Sequence, residues 1–161
     1  MSEVYFRVDD RLIHGQVIEG WAHSLGLTRI IIASDRICND ETYRKLLIFS
    51  VPAEVKVEIL SLKEAAEKMT EDYLNEEDTM VLFESPRDAL DLIDYGIKIT
   101  ELNVGCMHYN GSNIKLKNNI AVTEDHINDF IEISLMGTKI ECRALPQDKK
   151  VDLMNLIDAI E

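Results

Sequence analysis

Arg29, Ile30, Ile31, Ile32 and Ala33 form a nearly unbroken apolar run, closed by Ser34 and Asp35. A strand open to water on one face alternates apolar and polar residues. A strand covered on both faces does not, so this run predicts an inner strand of a parallel sheet with helices on either side. Thr79 to Phe83 repeats the pattern, whereas Val55 to Leu60 alternates and reads as a strand nearer an edge. Further strands are predicted at Glu3 to Val8, Ile99 to Val104 and Lys139 to Leu145.

Helices are expected between these strands. Gln16 to Leu25 carries one apolar stripe (Val17, Ile18, Trp21, Ala22, Leu25) with Gly26 as its stop. Asp40 to Phe49 follows the second strand, and Val51 and Pro52 break it. Ser61 and Glu64 fit a capping box opening a helix to about Met69. The acidic residues 70–78 read as a solvated connection. Ser85 and Pro86 start a helix to about Asp94. Gly105 to Asn113 is a loop, and Ile114 to Leu116 with Ile120 to Val122 suggests a small hairpin. Thr123 caps a helix expected to bury Ile127, Phe130, Ile131 and Leu135 and to stop at Gly137. Val151 to Ile160 is the last helix. Six strands joined by crossovers predict an α/β fold, an open and mostly parallel β-sheet with helices on both faces, in a single domain over residues 1–161.

Composition narrows the function. The 161 residues carry 30 acidic against 17 scattered basic side chains, a formal charge of −13, which argues against nucleic acid as a partner. The first residues lack a signal peptide's basic start and long apolar stretch, and no apolar run reaches the roughly 20 residues that span a bilayer, so a cytoplasmic protein is expected. Cys38, Cys106 and Cys142 form no C-x-x-C pair, and the four histidines show no zinc-binding spacing. No metal or cofactor is expected: neither G-x-G-x-x-G nor a P-loop occurs, and the nucleophile elbow of serine hydrolases is absent.

The chemistry gathers after the first strand, where Asp9, Asp10, Arg11, Leu12, Ile13, His14, Gly15, Gln16 and Val17 link strand to helix. Such a junction opens on the ligand crevice of a parallel sheet. His14 is the candidate nucleophile. Asp9 or Asp10 could hold one imidazole nitrogen in its protonated form and leave the other free to attack. Arg11 offers a fork of donors to phosphoryl oxygens. Gly15 lets the backbone approach, and the amides of Gly15, Gln16 and Val17 would add to an anion site. His108, in the loop at the same sheet end, is a further candidate for phosphate contact. His23 and His126 sit on polar helix faces. On these residues three classes stay open: a phosphoryl carrier, a module that binds a phosphorylated metabolite, and a phosphatase.

The run from Asp9 to Val17 followed by Trp21 resembles the phosphorylation-site signature of the IIB component of the mannose, fructose and sorbose family of the bacterial phosphoenolpyruvate-dependent sugar phosphotransferase system. The likeness covers essentially the whole chain and continues in Leu102 to Gly105, in Met107, His108 and Tyr109, and in Pro146. Cys106 departs from the Gly or Asn usual at its place. The resemblance implies that His14 accepts a phosphoryl group at Nδ1 from the phosphorylated IIA component. It implies passage of that group to a sugar entering through the membrane IIC and IID components, with the chain peripheral to that transporter. It also favours Asp9 over Asp10 as the carboxylate that orients the imidazole. An oligomer is compatible with the acidic surface.

Overall fold

The structure, a computed structural model, describes residues 2–160. Val4–Asp9 (β1), Arg29–Ala33 (β2), Lys56–Leu60 (β3), Thr79–Phe83 (β4), Glu101–Cys106 (β5), Lys139–Cys142 (β8) and Val151–Asp152 (β9) make one seven-stranded sheet in the order β3-β2-β4-β1-β5-β8-β9. Every pairing in it is parallel except β8 with β9. Ile114–Lys117 (β6) and Ile120–Val122 (β7) form the expected antiparallel hairpin.

The isoleucine run is buried at all five positions, as is β4, because helices cover both faces. Alternate residues of each strand enter opposite cores. Ile30, Ile32, Met80 and Leu82 pack with Leu12, Val17, Trp21 and Leu47, under the helix Gln16–His23 and the helices Asp35–Cys38 (α1) and Glu41–Phe49 (α2). Ile31, Val81, Phe83 and Val104 pack on the other face with Ala65, Leu92, Phe130 and Leu153. Those four come from Leu62–Lys68 (α3), Pro86–Asp94 (α5), Glu124–Leu135 (α6) and Leu153–Asp158 (α7). A one-turn helix, Glu71–Leu74 (α4), interrupts the acidic connection. Among the described residues no helix is long and apolar enough to cross a membrane.

Four expectations are corrected. The first helix is π-wound over Gln16–His23 rather than α-helical throughout, although it runs on to Leu25 and stops at Gly26 as expected. The buried stripe of α6 is Phe130 and Ile133, with Ile127 half-buried, whereas Ile131 and Leu135 face solvent, Leu135 at 81% exposure. The stripe is turned because Asp129 points inward and takes an ion pair of 2.7 Å from Arg87 on α5. The last parallel strand stops at Cys142 because the carbonyls of Arg143 and Ala144 leave the ladder to accept hydrogen bonds from Arg7. Val151 and Asp152 are strand rather than helix: they pair with Cys142 and Glu141, and Asp152 then caps α7 by accepting from the amides of Met154 and Asn155.

Candidate functional site

The chain leaves β1 towards the face with the π-helix, while the chain leaving neighbouring β5 runs to the β6-β7 hairpin and α6 on the opposite face. Connections that diverge from adjacent strands open a crevice at their carboxyl ends, where α/β proteins bind ligands. Asp9 ends β1 and pairs with Cys106 at the end of β5, and a turn closed by the Leu12 amide on the Asp9 carbonyl (2.9 Å) carries the chain to His14. Leu12 is held at φ +57° with its side chain fully buried. A left-handed leucine stores about 1–2 kcal/mol of strain, offset here by its place in the core.

Asp9 is fully buried and gathers four donors. Its Oδ2 accepts from Arg7 Nη2 at 3.0 Å and lies 2.8 Å from His14 Nε2. Its Oδ1 accepts from the Arg11 amide at 3.0 Å and from Arg11 Nε at 3.4 Å. Burial alone would push this carboxyl upward. The bond to His14 and the charge of Arg7 outweigh it, and the pKa lies below the ordinary aspartate value.

The same contacts fix the imidazole. The Gln16 amide donates to His14 Nδ1 at 3.2 Å. A backbone amide can only donate, so Nδ1 carries a lone pair and the ring proton sits on Nε2, facing the Asp9 carboxylate. The side chain is only 15% exposed. Arg11 spans the loop, its Nη2 donating to Gln16 Oε1 at 2.9 Å, and about a third of its side chain meets solvent.

Asp10 serves a different histidine. Its Oδ2 accepts from the His108 amide and its Oδ1 lies against His108 Nδ1, both at 2.7 Å, so the second carboxylate ties the β5 loop to the β1 loop and leaves His14 to Asp9. The Gln16 amide, expected to face an anion, is turned onto Nδ1 instead. Gly15 and Val17 flank it at the start of the π-helix, a form that recurs at functional sites. Beside Gln16 opens a cavity of about 490 Å³ bordered by Lys117, Asn119, Arg143, Asp148 and Lys149.

Arg7 carries no role in the sequence reading. It is fully buried, donates to Asn103 Oδ1 at 2.6 Å, to the carbonyls of Arg143 and Ala144 and to Asp9, and lies 5.1 Å from the centre of the Trp21 ring. Trp21 in turn donates its indole N–H to the Ala144 carbonyl at 2.9 Å. A signal for Arg7 does exist in the sequence: it lies between Phe6 and Val8 in a strand that must be buried, where an arginine requires acceptors. The group Asp10, Cys106 and His108, with ligand atoms all within 4.8 Å of one another, is a second feature that linear spacing hides.

Residues 3–161 match the family described as the PTS system sorbose subfamily IIB component. The fructose-specific EIIB component of Bacillus subtilis is 34% identical over 98% of this chain and 96% of its own length. The mannose-specific EIIAB component of Escherichia coli is 32% identical over 96% of this chain, which spans 48% of that longer protein. The crystal structure of the IIBSor domain of the sorbose permease from Klebsiella pneumoniae superposes with a TM-score of 0.90 at 32% identity, covering 100% of this chain and 99% of that one.

Proposed function

The chain belongs to the sorbose subfamily of phosphotransferase-system IIB components, transferases of sugar uptake, and we propose that within that system His14 is the residue that carries the phosphoryl group. One observation supports this above the others: His14 Nε2 is engaged by the buried Asp9 carboxylate at 2.8 Å while Nδ1 keeps its lone pair, which accepts from the Gln16 amide.

The Nδ1 lone pair attacks the phosphorus of a phosphohistidine on the IIA component. The donor's P–N bond breaks and its electron pair returns to the donor imidazole. The Nε2 proton of His14 stays in place. Positive charge then develops on the ring, and the Asp9 carboxylate across the Nε2–H bond balances it in a largely buried setting where such a pair is strong. The amide of Gln16, released from Nδ1, and the fork of Arg11 are the donors nearest the incoming oxygens, together with the amides of Gly15 and Val17. A phosphorylated imidazole with its second nitrogen protonated is a good leaving group. The sugar hydroxyl held by the membrane IIC and IID components attacks phosphorus, the bond to Nδ1 breaks, and the hydroxyl proton is released. His108, held on Asp10 through Nδ1, borders the same loop and has its Nε2 left to contact the phosphate.

A mannose relative that joins A and B components in one EIIAB protein supports the choice of donor. The hollow beside Gln16, with Lys117 and Lys149 on its rim, offers positive charge on an acidic molecule where an anionic group would approach. The test is phosphorylation by phosphoenolpyruvate through the two general phosphotransferase proteins and a cognate IIA component. Wild type should gain one acid-labile phosphate and His14→Ala none. Label on the variant would remove His14 from the role, and bound metabolite without covalent phosphate on wild type would favour a binding module.

A further inference from the structure

We propose that Asp10, Cys106 and His108 form a binding site for a zinc-class divalent cation, bridging the loops that follow β1 and β5. A carboxylate oxygen, a thiol sulfur and an imidazole nitrogen lie within 4.8 Å of one another. A tetrahedral zinc ion holds its ligands at about 2.0–2.3 Å, which sets them about 3.3–3.8 Å apart, so small side-chain rotations close the set. The donors suit this class of ion: thiolate and imidazole favour zinc or cobalt over magnesium or calcium, which take oxygen shells. Three protein ligands leave a fourth position for water, and His108, at 64% exposure, is the side open to solvent.

The group is held by backbone as well as by its own contacts. The Asp10 amide donates to the Cys106 carbonyl at 3.0 Å, and the His108 amide donates to Asp10 Oδ2 at 2.7 Å. Beyond His108 the loop is closed by Asn113, whose Nδ2 donates to the His108 carbonyl at 3.0 Å. Each ligand therefore starts from a fixed Cα, the arrangement that lowers the ordering cost of metal capture. On binding, Cys106 releases its thiol proton to the buffer, and the His108 ring carries its single proton on the nitrogen that does not coordinate. The two loops that frame His14 would then be joined by metal bonds in place of one hydrogen-bonded pair. No sequence motif announces this, because Asp10 and Cys106 are brought together only by the pairing of β1 with β5.

The experiment adds cobalt(II) alone to metal-free protein and reads the absorption spectrum, with zinc as competitor. A single equivalent should produce tetrahedral d–d bands and a thiolate-to-cobalt charge-transfer band that zinc abolishes. Cys106→Ala should remove the charge-transfer band, and His108→Ala, an exposed position that leaves the fold intact, should weaken binding at least tenfold. Absence of the band in wild type, or its persistence in Cys106→Ala, which would place the metal at another cysteine, overturns the proposal. So does wild-type affinity in His108→Ala, which decides the matter if Cys106→Ala fails to fold. Binding is read without phosphoryl transfer, so this result stands or falls apart from the role of His14.

Discussion

The guanidinium of Arg7 occupies the space that a side chain on Gly105 would fill: a Cβ there would lie 1.9 Å from Arg7 Nη2 and 2.0 Å from its Cζ. Arg7 cannot retreat, because Asn103, Asp9 and the carbonyls of Arg143 and Ala144 hold it and Trp21 lies against it. Gly105→Ala should therefore expel the arginine from its seat and take from buried Asp9 one of its four donors and its fully buried cationic partner. Overpacking together with a broken buried pair predicts a loss of about 3 kcal/mol or more. Urea unfolding measures it, and a loss below 1 kcal/mol would show that Arg7 has room to move.

Asp9→Asn keeps the shape of the side chain and removes the charge that balances the His14 ring. Phosphoryl transfer through His14 should slow by on the order of 10²- to 10⁴-fold, the range seen when a positioned carboxylate or transition-state donor is neutralised. Asp10→Asn, acting on His108, should slow it far less. Equal losses in rapid-quench labelling would contradict the division of labour between the two carboxylates. Asp9 also links stability to pH. Its pKa is lowered in the folded chain, so its contribution is present above the unfolded value of about 3.9 and is lost as the pH falls through the folded value.

Asp88, in the first turn of α5, behaves in the opposite sense. Burial, then the neighbouring charges of Glu84, Asp91 and Asp35, push its pKa up to about 7. The folded state prefers the protonated form, so stability falls as the pH rises from about 4 to about 7, the window between unfolded and folded values. Asp88→Asn should match wild type at pH 4 and exceed it at pH 8 by on the order of 1–2 kcal/mol, after discounting for partial exposure. Thermal melts at the two pH values decide this, and an equal gain at both would point to a cause other than ionisation.

The corrected face of α6 gives a paired test. Leu135→Gln, at a solvent-facing position, should change stability by no more than about 0.5 kcal/mol, while Phe130→Ala, fully buried, should lower it by about 3–5 kcal/mol. Unfolding in denaturant with unchanged slope separates them. A large loss at Leu135 would restore the stripe read from the sequence.

The fold was legible because burial on both faces leaves a mark that needs no third dimension. The isoleucine run and Thr79 to Phe83 could only be inner strands, and their helical crossovers then implied a parallel sheet. The misplaced features were those where a distant side chain overrides local pattern. Asp129 turns α6 by pairing with Arg87, forty-two positions earlier in the chain. Arg7 draws the carbonyls of Arg143 and Ala144 out of β8. The π-helical winding of Gln16–His23 has an amphipathic stripe of ordinary appearance, so periodicity could not separate it from an α-helix.

The candidate site divides in the same way. His14 stood out in the sequence because a histidine, an arginine and two carboxylates lie within six residues at a strand-to-helix junction, and linear proximity guarantees proximity in space there. Which carboxylate meets the imidazole is a question of direction, and residues only one apart leave a strand end on different sides. Asp9, paired with Cys106 after a register shift that skips Gly105, points into the interior beside Arg7, and Asp10, past the end of the pairing, points across to His108. The sequence by itself determined the sheet, the loop and the candidate histidine, since these rest on local composition and short-range order. Only the tertiary structure decided the turning of Asp10 away to His108, the seat of Arg7 against Gly105 and the meeting of Asp10 with Cys106, because each depends on β1 lying beside β5, and strand neighbours are chosen by the whole packed sheet.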